Sequence, residues 1–249
     1  MNIVKNIFRF LWLVWGAFVF MTLMTLLTPL FIVFIALLGK KIRYHLLSFN
    51  FKIVGPILCF LMGIRFKTIG REKVPTSGAQ VLISNHQSMV DIIINAANSP
   101  QAGFFLAKKS LTKFPVFGMM VKSLGILVDR TNDESRKKSY MYMVNTIKDG
   151  HPIFIYPEGT RNRTKEPLKE FYAGAFKLAI ETRVPIVAQT LIGAQKIYNP
   201  NTPFLMQPGK VTIYFDIIET DKYGASDTDK LKADVKEMMK QRILQHQAS

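Results

Sequence analysis

Cysteine is almost absent. Cys59 is the only one, so the chain can form no intrachain disulfide and has no thiol pair for redox exchange or zinc. Histidine is also scarce, with four in 249 residues and none at ligand spacing from another, so neither a metal nor a cofactor is expected. Acidic residues are few, 17 against 33 Lys and Arg, and the resulting formal charge of +16 implies an anionic partner. Nucleic acid fits poorly, because zinc spacing, ribonucleoprotein aromatics and dense arginine tracts are all missing. An anionic membrane surface accounts for the charge as well, and it agrees with a hydrophobic content of 49%.

Charge is missing altogether from residues 10 to 38, a run longer than the roughly 20 residues that span a bilayer core. The apolar region of a cleaved signal peptide is about 7 to 15 residues long and ends at small residues, so this run is expected to remain as an anchor. A second apolar stretch, Ile53 to Ile64, is shorter and is interrupted by Gly55-Pro56, as an interfacial segment would be. Together the two read as a membrane helical hairpin, with Pro29 placed to kink its first arm. Lys5 and Arg9 precede the run and Lys40, Lys41 and Arg43 follow it, so flanking charge leaves the orientation open. The chain thus divides into a membrane-anchoring helical segment, 1–64, and an α/β domain, 65–249.

In the second part, apolar runs alternate with helical spacing. Strands are expected at Arg65–Ile69, Val81–Ile83, Phe104–Ala107, Gly125–Arg130, His151–Tyr156, Val184–Val187 and Lys210–Ile218. Helices are expected at Met89–Ala97, Pro115–Leu124, Ser135–Lys148, Ala173–Thr182 and Asp227–Gln247, the last with Ser226 as N-cap and Leu231, Val235, Met238, Met239 and Leu244 facing the core. The Pro-containing loop from Tyr198 to Gly209 is the expected mobile segment. This order predicts an α/β sandwich with a mixed sheet flanked by helices.

Two short blocks carry chemistry. In Asn85-His86-Gln87-Ser88-Met89-Val90-Asp91, His86 and Asp91 are five residues apart, about 140° around a helix, so they can meet only across a turn. A carboxylate on one ring nitrogen would leave the other free to take a proton from a hydroxyl. The alternative is a solvated loop histidine beside an aspartate favoured by a helix dipole. In Tyr156-Pro157-Glu158-Gly159-Thr160-Arg161, a strand ends in a tight loop. Gly159 permits close backbone approach, Arg161 offers a fork for phosphate oxygens, and Glu158 is placed to hold the arginine or bond a substrate hydroxyl.

With Gly125–Arg130 and Val184-Pro185-Ile186-Val187, these blocks resemble, in order, the four motifs of the glycerolipid acyltransferase family over about residues 65 to 218. The resemblance implies that fold, with His86 as general base, Asp91 as its partner, and Arg130, Glu158, Gly159, Thr160 and Arg161 as binders of the acceptor's glycerol phosphate, with help from Lys108. It further implies a fatty acyl group moving from acyl-CoA or acyl carrier protein to the sn-2 hydroxyl of 1-acyl-sn-glycerol 3-phosphate, giving phosphatidic acid, on the cytoplasmic face of the inner membrane. Another lysophospholipid or glycerol 3-phosphate would satisfy the same motifs. A non-catalytic membrane lipid carrier is the reading from a different class. Tyr156 replaces the family's usual Phe, and Ala188-Gln189 replaces its Pro-Val.

Overall fold

The computed structural model describes residues 3–129 and 131–248. Its centre is a seven-stranded sheet made of β1 (Ile64–Ile69), β2 (Val81–Ser84), β3 (Phe104–Lys108), β4 (Ile126–Val128), β5 (Ile153–Ile155), β6 (Ile186–Ile192) and β7 (Gly209–Ile218). The spatial order is β1-β7-β6-β2-β5-β3-β4, and every pairing is parallel except β6 with β7. Parallel neighbours need long crossovers. Helices supply them: α4 (Asp91–Asn98), α5 (Phe117–Leu124), α6 (Asp133–Lys148) and α7 (Gly174–Thr182). Only the short α8 (Ala194–Ile197) separates β6 from its antiparallel partner.

The central strands are apolar on both faces because both faces are covered. Val81, Ile83, Ile153, Ile155 and Ile186 pack with α7 and with the last helix, α9 (Thr228–Ala248). Leu82, Phe154, Val187 and Leu191 pack on the other side with Val90 and Ile94 beside and within α4. In α9 the buried positions are Leu231, Val235, Met239 and Ile243, while Leu244, expected inside, is exposed. Ser226 is not the N-cap of α9. It lies in a 3₁₀ turn, Ala225–Asp227, closed by the Asp227 carboxylate accepting from the Gly224 N–H at 2.8 Å.

Residues 3–61 are helical except at Gly39, and two of these helices are long and apolar enough to cross a membrane. α1 (Ile3–Leu38) runs through Pro29. After it, α2 (Arg43–Phe49), a π turn (Asn50–Val54) and α3 (Gly55–Leu61) follow without a gap. Gly55-Pro56 was expected to interrupt this stretch. The helix survives because the wider π turn, with Gly55 N–H bonding Asn50 O, accommodates a proline that lacks an N–H. The chain's two tryptophans tie α1 to the end of α3: Trp12 Nε1 donates to Met62 O at 3.1 Å and Trp15 Nε1 to Leu61 O at 2.9 Å. They satisfy carbonyls that a helix C-terminus leaves unpaired.

The loop from Tyr198 to Gly209 is pinned rather than free. Tyr198 pairs with Met206, which is buried and whose N–H donates to Arg9 O at 3.2 Å.

At Gly55, α3 lies against the backbone of α4, and a Cβ there would sit 2.9 Å from Ala97 N. Gly55→Val should therefore push α3 off α4 and lower stability by about 1–3 kcal/mol. Denaturant unfolding in detergent measures this, and unchanged stability would mean that the close approach is not required.

Candidate active site

The register of β2 with β5 brings the two motif loops together. Ile83 pairs with Ile155, and His86 and Glu158 each lie three residues further on, so parallel neighbours deliver them at the same height beyond the carboxyl end of the sheet. Asn85 extends the ladder on the other side, because its amide accepts from Leu191 N–H at 2.7 Å and donates to Leu191 O at 2.9 Å, as a main-chain pair would.

His86 Nδ1 lies 2.9 Å from Asp91 Oδ2 across the turn. That oxygen also accepts the Gln87 and Ser88 N–H groups, both at 2.6 Å. Surrounded by donors, it can only accept, so the proton sits on Nδ1 and Nε2 keeps its lone pair. The same contacts explain why α4 starts at Asp91 rather than Met89, since the aspartate side chain holds the two preceding N–H groups in a turn. Asp91 is fully buried, and burial pushes its carboxyl above the usual carboxylate range against the opposing pull of His86, Ser88 and Gln87.

Tyr156 stacks on the His86 ring, with centroids 4.2 Å apart and an interplanar angle of 23°. Its hydroxyl accepts from Asn95 Nδ2 at 3.0 Å. Asn95 is one turn after Asp91, so one helix holds both the in-plane partner of His86 and the anchor of its stacking plate. Burial, and then the Asp91 charge, raise the phenol well above its ordinary value, so it stays protonated. Neither Tyr156 nor Asn95 stood out as functional in the motif reading, although the four-residue spacing from Asp91 was a usable signal.

Glu158, expected to hold the arginine or bond a substrate hydroxyl, faces inward. Only 1% exposed, it uses Oε1 to accept the His86 N–H at 2.7 Å and Oε2 to accept the Lys169 N–H at 3.0 Å. Its carboxyl is raised by burial and held back by these two amides. The Asn162 N–H donates to His86 O at 2.6 Å, so the histidine's backbone is fixed on both sides. Gly159 takes φ +71°, a conformation that favours glycine, and turns the loop outward. Thr160 is exposed and Arg161 half-buried, and Arg161 has no carboxylate partner among the described residues. Arg130 lies outside the described residues.

A cavity of about 260 Å³ opens beside the dyad, and His86, Tyr156, Gly159 and the exposed Lys108 all line it. The rest of its wall is mostly apolar, including Phe20 and Met24 from α1, Leu47 from α2, and Met120 and Leu124 from α5. The site therefore presents a proton acceptor at the border of an apolar chamber and a cationic loop.

A family model described as acyltransferase matches residues 65–191. The chain is similar to a 1-acyl-sn-glycerol-3-phosphate acyltransferase of Cocos nucifera, 30% identical over 69% of this chain and 55% of that protein. It is likewise similar to one of Helicobacter pylori, 33% identical over 57% of this chain and 60% of that protein. Less than two thirds of the length of these curated relatives is thus spanned. Among solved structures, the crystal structure of the 1-acyl-sn-glycerophosphate acyltransferase PlsC from Thermotoga maritima shares the fold, with a TM-score of 0.81 and 20% identity over 100% of this chain and 99% of that one.

Asp91 Oδ1 is buried without a partner, so Asp91→Asn can keep its oxygen on the three donors and place its NH₂ in the empty-handed position. The variant should fold at least as stably as the parent at neutral pH, while activity falls about 10²–10⁴-fold because an imidazolium loses its counter-charge. The native Asp91 carboxyl titrates above its unfolded value of about 3.9, so the native state binds this proton more tightly. The parent consequently gains stability relative to the variant as pH falls from the raised native value toward about 3.9, and loses it as pH rises. Thermal unfolding of both proteins across that range checks the sign, and a variant that is the less stable at neutral pH contradicts it.

Proposed function

This chain belongs to the acyltransferase family, and from that premise we propose that it transfers a fatty acyl group from a thioester donor to the sn-2 hydroxyl of 1-acyl-sn-glycerol 3-phosphate, giving phosphatidic acid. The observation that carries the reading is the His86–Asp91 contact of 2.9 Å on the wall of an apolar cavity, next to the loop that bears Arg161. Nε2 of His86 takes the acceptor's hydroxyl proton as its oxygen attacks the thioester carbonyl. The tetrahedral intermediate then collapses, the carbon–sulfur bond breaks, and the thiolate takes the proton back from Nε2. Asp91 holds the ring and balances the imidazolium between these two transfers. The apolar cavity suits the acyl chain, and Thr160 and Arg161, with Lys108 at the rim, suit the acceptor's phosphate.

The apolar N-terminal helices support attachment to a membrane, where a lysophospholipid acceptor resides. Acyl-CoA and acyl carrier protein are cytoplasmic, so the catalytic face is proposed to lie on the cytoplasmic side of the inner membrane. Glycerol 3-phosphate and other lysolipids are the competing acceptors.

Purified full-length protein offered a panel of lysolipids and glycerol 3-phosphate, each with acyl-CoA and with acyl carrier protein thioester, should acylate lysophosphatidic acid best. His86→Ala should lose at least about 10²-fold in turnover while keeping its thermal unfolding profile. Near-parental turnover by that variant would falsify the mechanism. In a separate test, the protein should stay with membranes through a high-salt wash, since apolar insertion is not screened by ions; release into the soluble fraction would remove the anchor.

A further inference from the structure

Several cations of this protein are taken up by carboxylates. Lys138 pairs with Glu134, Lys232 with Asp229, Lys236 with Glu170 and Arg242 with Asp216. Lys169 does not. It is half-buried, no carboxylate reaches its ammonium among the described residues, and the adjacent Glu170 is already engaged by Lys236. Lys169 Nζ instead donates to Thr160 Oγ1 at 2.6 Å.

That contact orients the threonine. With its oxygen accepting from an ammonium, the Thr160 hydroxyl turns its own hydrogen outward, and Lys169 keeps two further N–H donors. Arg161, the next residue along the loop, is likewise without a carboxylate partner among the described residues. The Lys169–Thr160 pair, followed in the loop by Arg161, thus offers donors with no carboxylate bound among the described residues, the complement of a phosphate. Its position relative to the base is set by Glu158, whose two carboxylate oxygens hold the amides of His86 and Lys169.

We propose that Lys169 is a phosphate-binding residue, acting with Thr160 and Arg161 on a phosphate monoester, and that this monoester belongs to the acyl acceptor. The assignment rests on the acyl-transfer reading above. In 1-acyl-sn-glycerol 3-phosphate, two carbons and one ester oxygen separate the reacting hydroxyl oxygen from phosphorus, so an anion site one carboxylate away from His86 fits it. In coenzyme A the 3′-phosphate lies a whole pantetheine arm from the thioester.

The test uses full-length protein in detergent with Lys169→Met, which keeps the stem without charge, and Lys169→Arg, which restores charge. Lys169→Met should raise KM for lysophosphatidic acid about tenfold or more, with kcat within about twofold and KM for acyl-CoA unchanged, and Lys169→Arg should recover most of the loss. Glycerol 3-phosphate should raise the unfolding temperature of the parent but not of Lys169→Met. An unchanged acceptor KM in a folded Lys169→Met protein overturns the inference, as does a fall in kcat and unfolding temperature with KM unmoved. A rise confined to the acyl-CoA KM assigns the monoester to the donor and overturns the acceptor assignment. If the parent does not acylate lysophosphatidic acid, yet glycerol 3-phosphate protects it and not Lys169→Met, the anion site stands and the acyl-transfer reading falls.

Discussion

One buried carboxylate holds the candidate site in shape. Among the described residues no Lys or Arg pairs with Glu158. Its two oxygens accept main-chain N–H groups, one from the loop after β2 and one from the segment that leads into α7. Charge-assisted bonds to amides are among the stronger polar contacts available to a protein, and they keep a buried anion tolerable without neutralising it. Removing either oxygen would leave an N–H unsatisfied, at a cost of about 1–3 kcal/mol, and would release the backbone of His86 or of Lys169. The geometry of the dyad, the stacking of Tyr156 and the placing of the cationic loop all depend on that backbone being fixed.

Around this polar centre, two different materials meet. The sheet supplies the reacting groups at the ends of β2 and β5, where close packing on both faces prevents the strands from shifting. The helices within residues 3–61 supply part of the apolar wall, with Phe20 and Met24 from α1, Leu47 from α2 and Phe51, Val54 and Leu58 from the π turn and α3, and their hold on the rest of the fold is specific rather than merely greasy. Arg43 donates to Ser123 O at 2.6 Å and to the Tyr142 hydroxyl at 2.8 Å, and its guanidinium lies 5.6 Å over the Phe104 ring. The N-terminal helices that dock on the α/β domain thus also help form the cavity, and a change in how they dock alters the chamber beside His86.

What could be read in the sequence was local. His86 and Asp91 meet across a short turn, and the strands were visible as apolar runs bounded by glycine, proline and polar residues. The direction in which Glu158 points was not readable, because it depends on β2 lying beside β5 in a particular register, a pairing between residues about seventy positions apart. Lys169 was invisible for a related reason, since its side chain folds back onto Thr160 through a loop of no recognisable spacing. The helix through Gly55-Pro56 defeated a sound rule about proline by adopting a π turn that the rule does not include. Ala188 and Gln189, which depart from the family pattern, are buried in the central strand β6, where Gln189 Nε2 donates to Ser99 Oγ at 3.3 Å. That block serves the sheet's interior.

The two tryptophans have a practical side. Both lie on α1, and both indole N–H groups bond to carbonyls at the end of α3. With no tryptophan in the sheet or the C-terminal helices, emission excited where tryptophan absorbs and the eight tyrosines do not comes from one joint only. An emission change on adding lipid, detergent or denaturant therefore reports the separation of α1 from α3, and circular dichroism followed in parallel would tell whether the sheet stayed intact behind it.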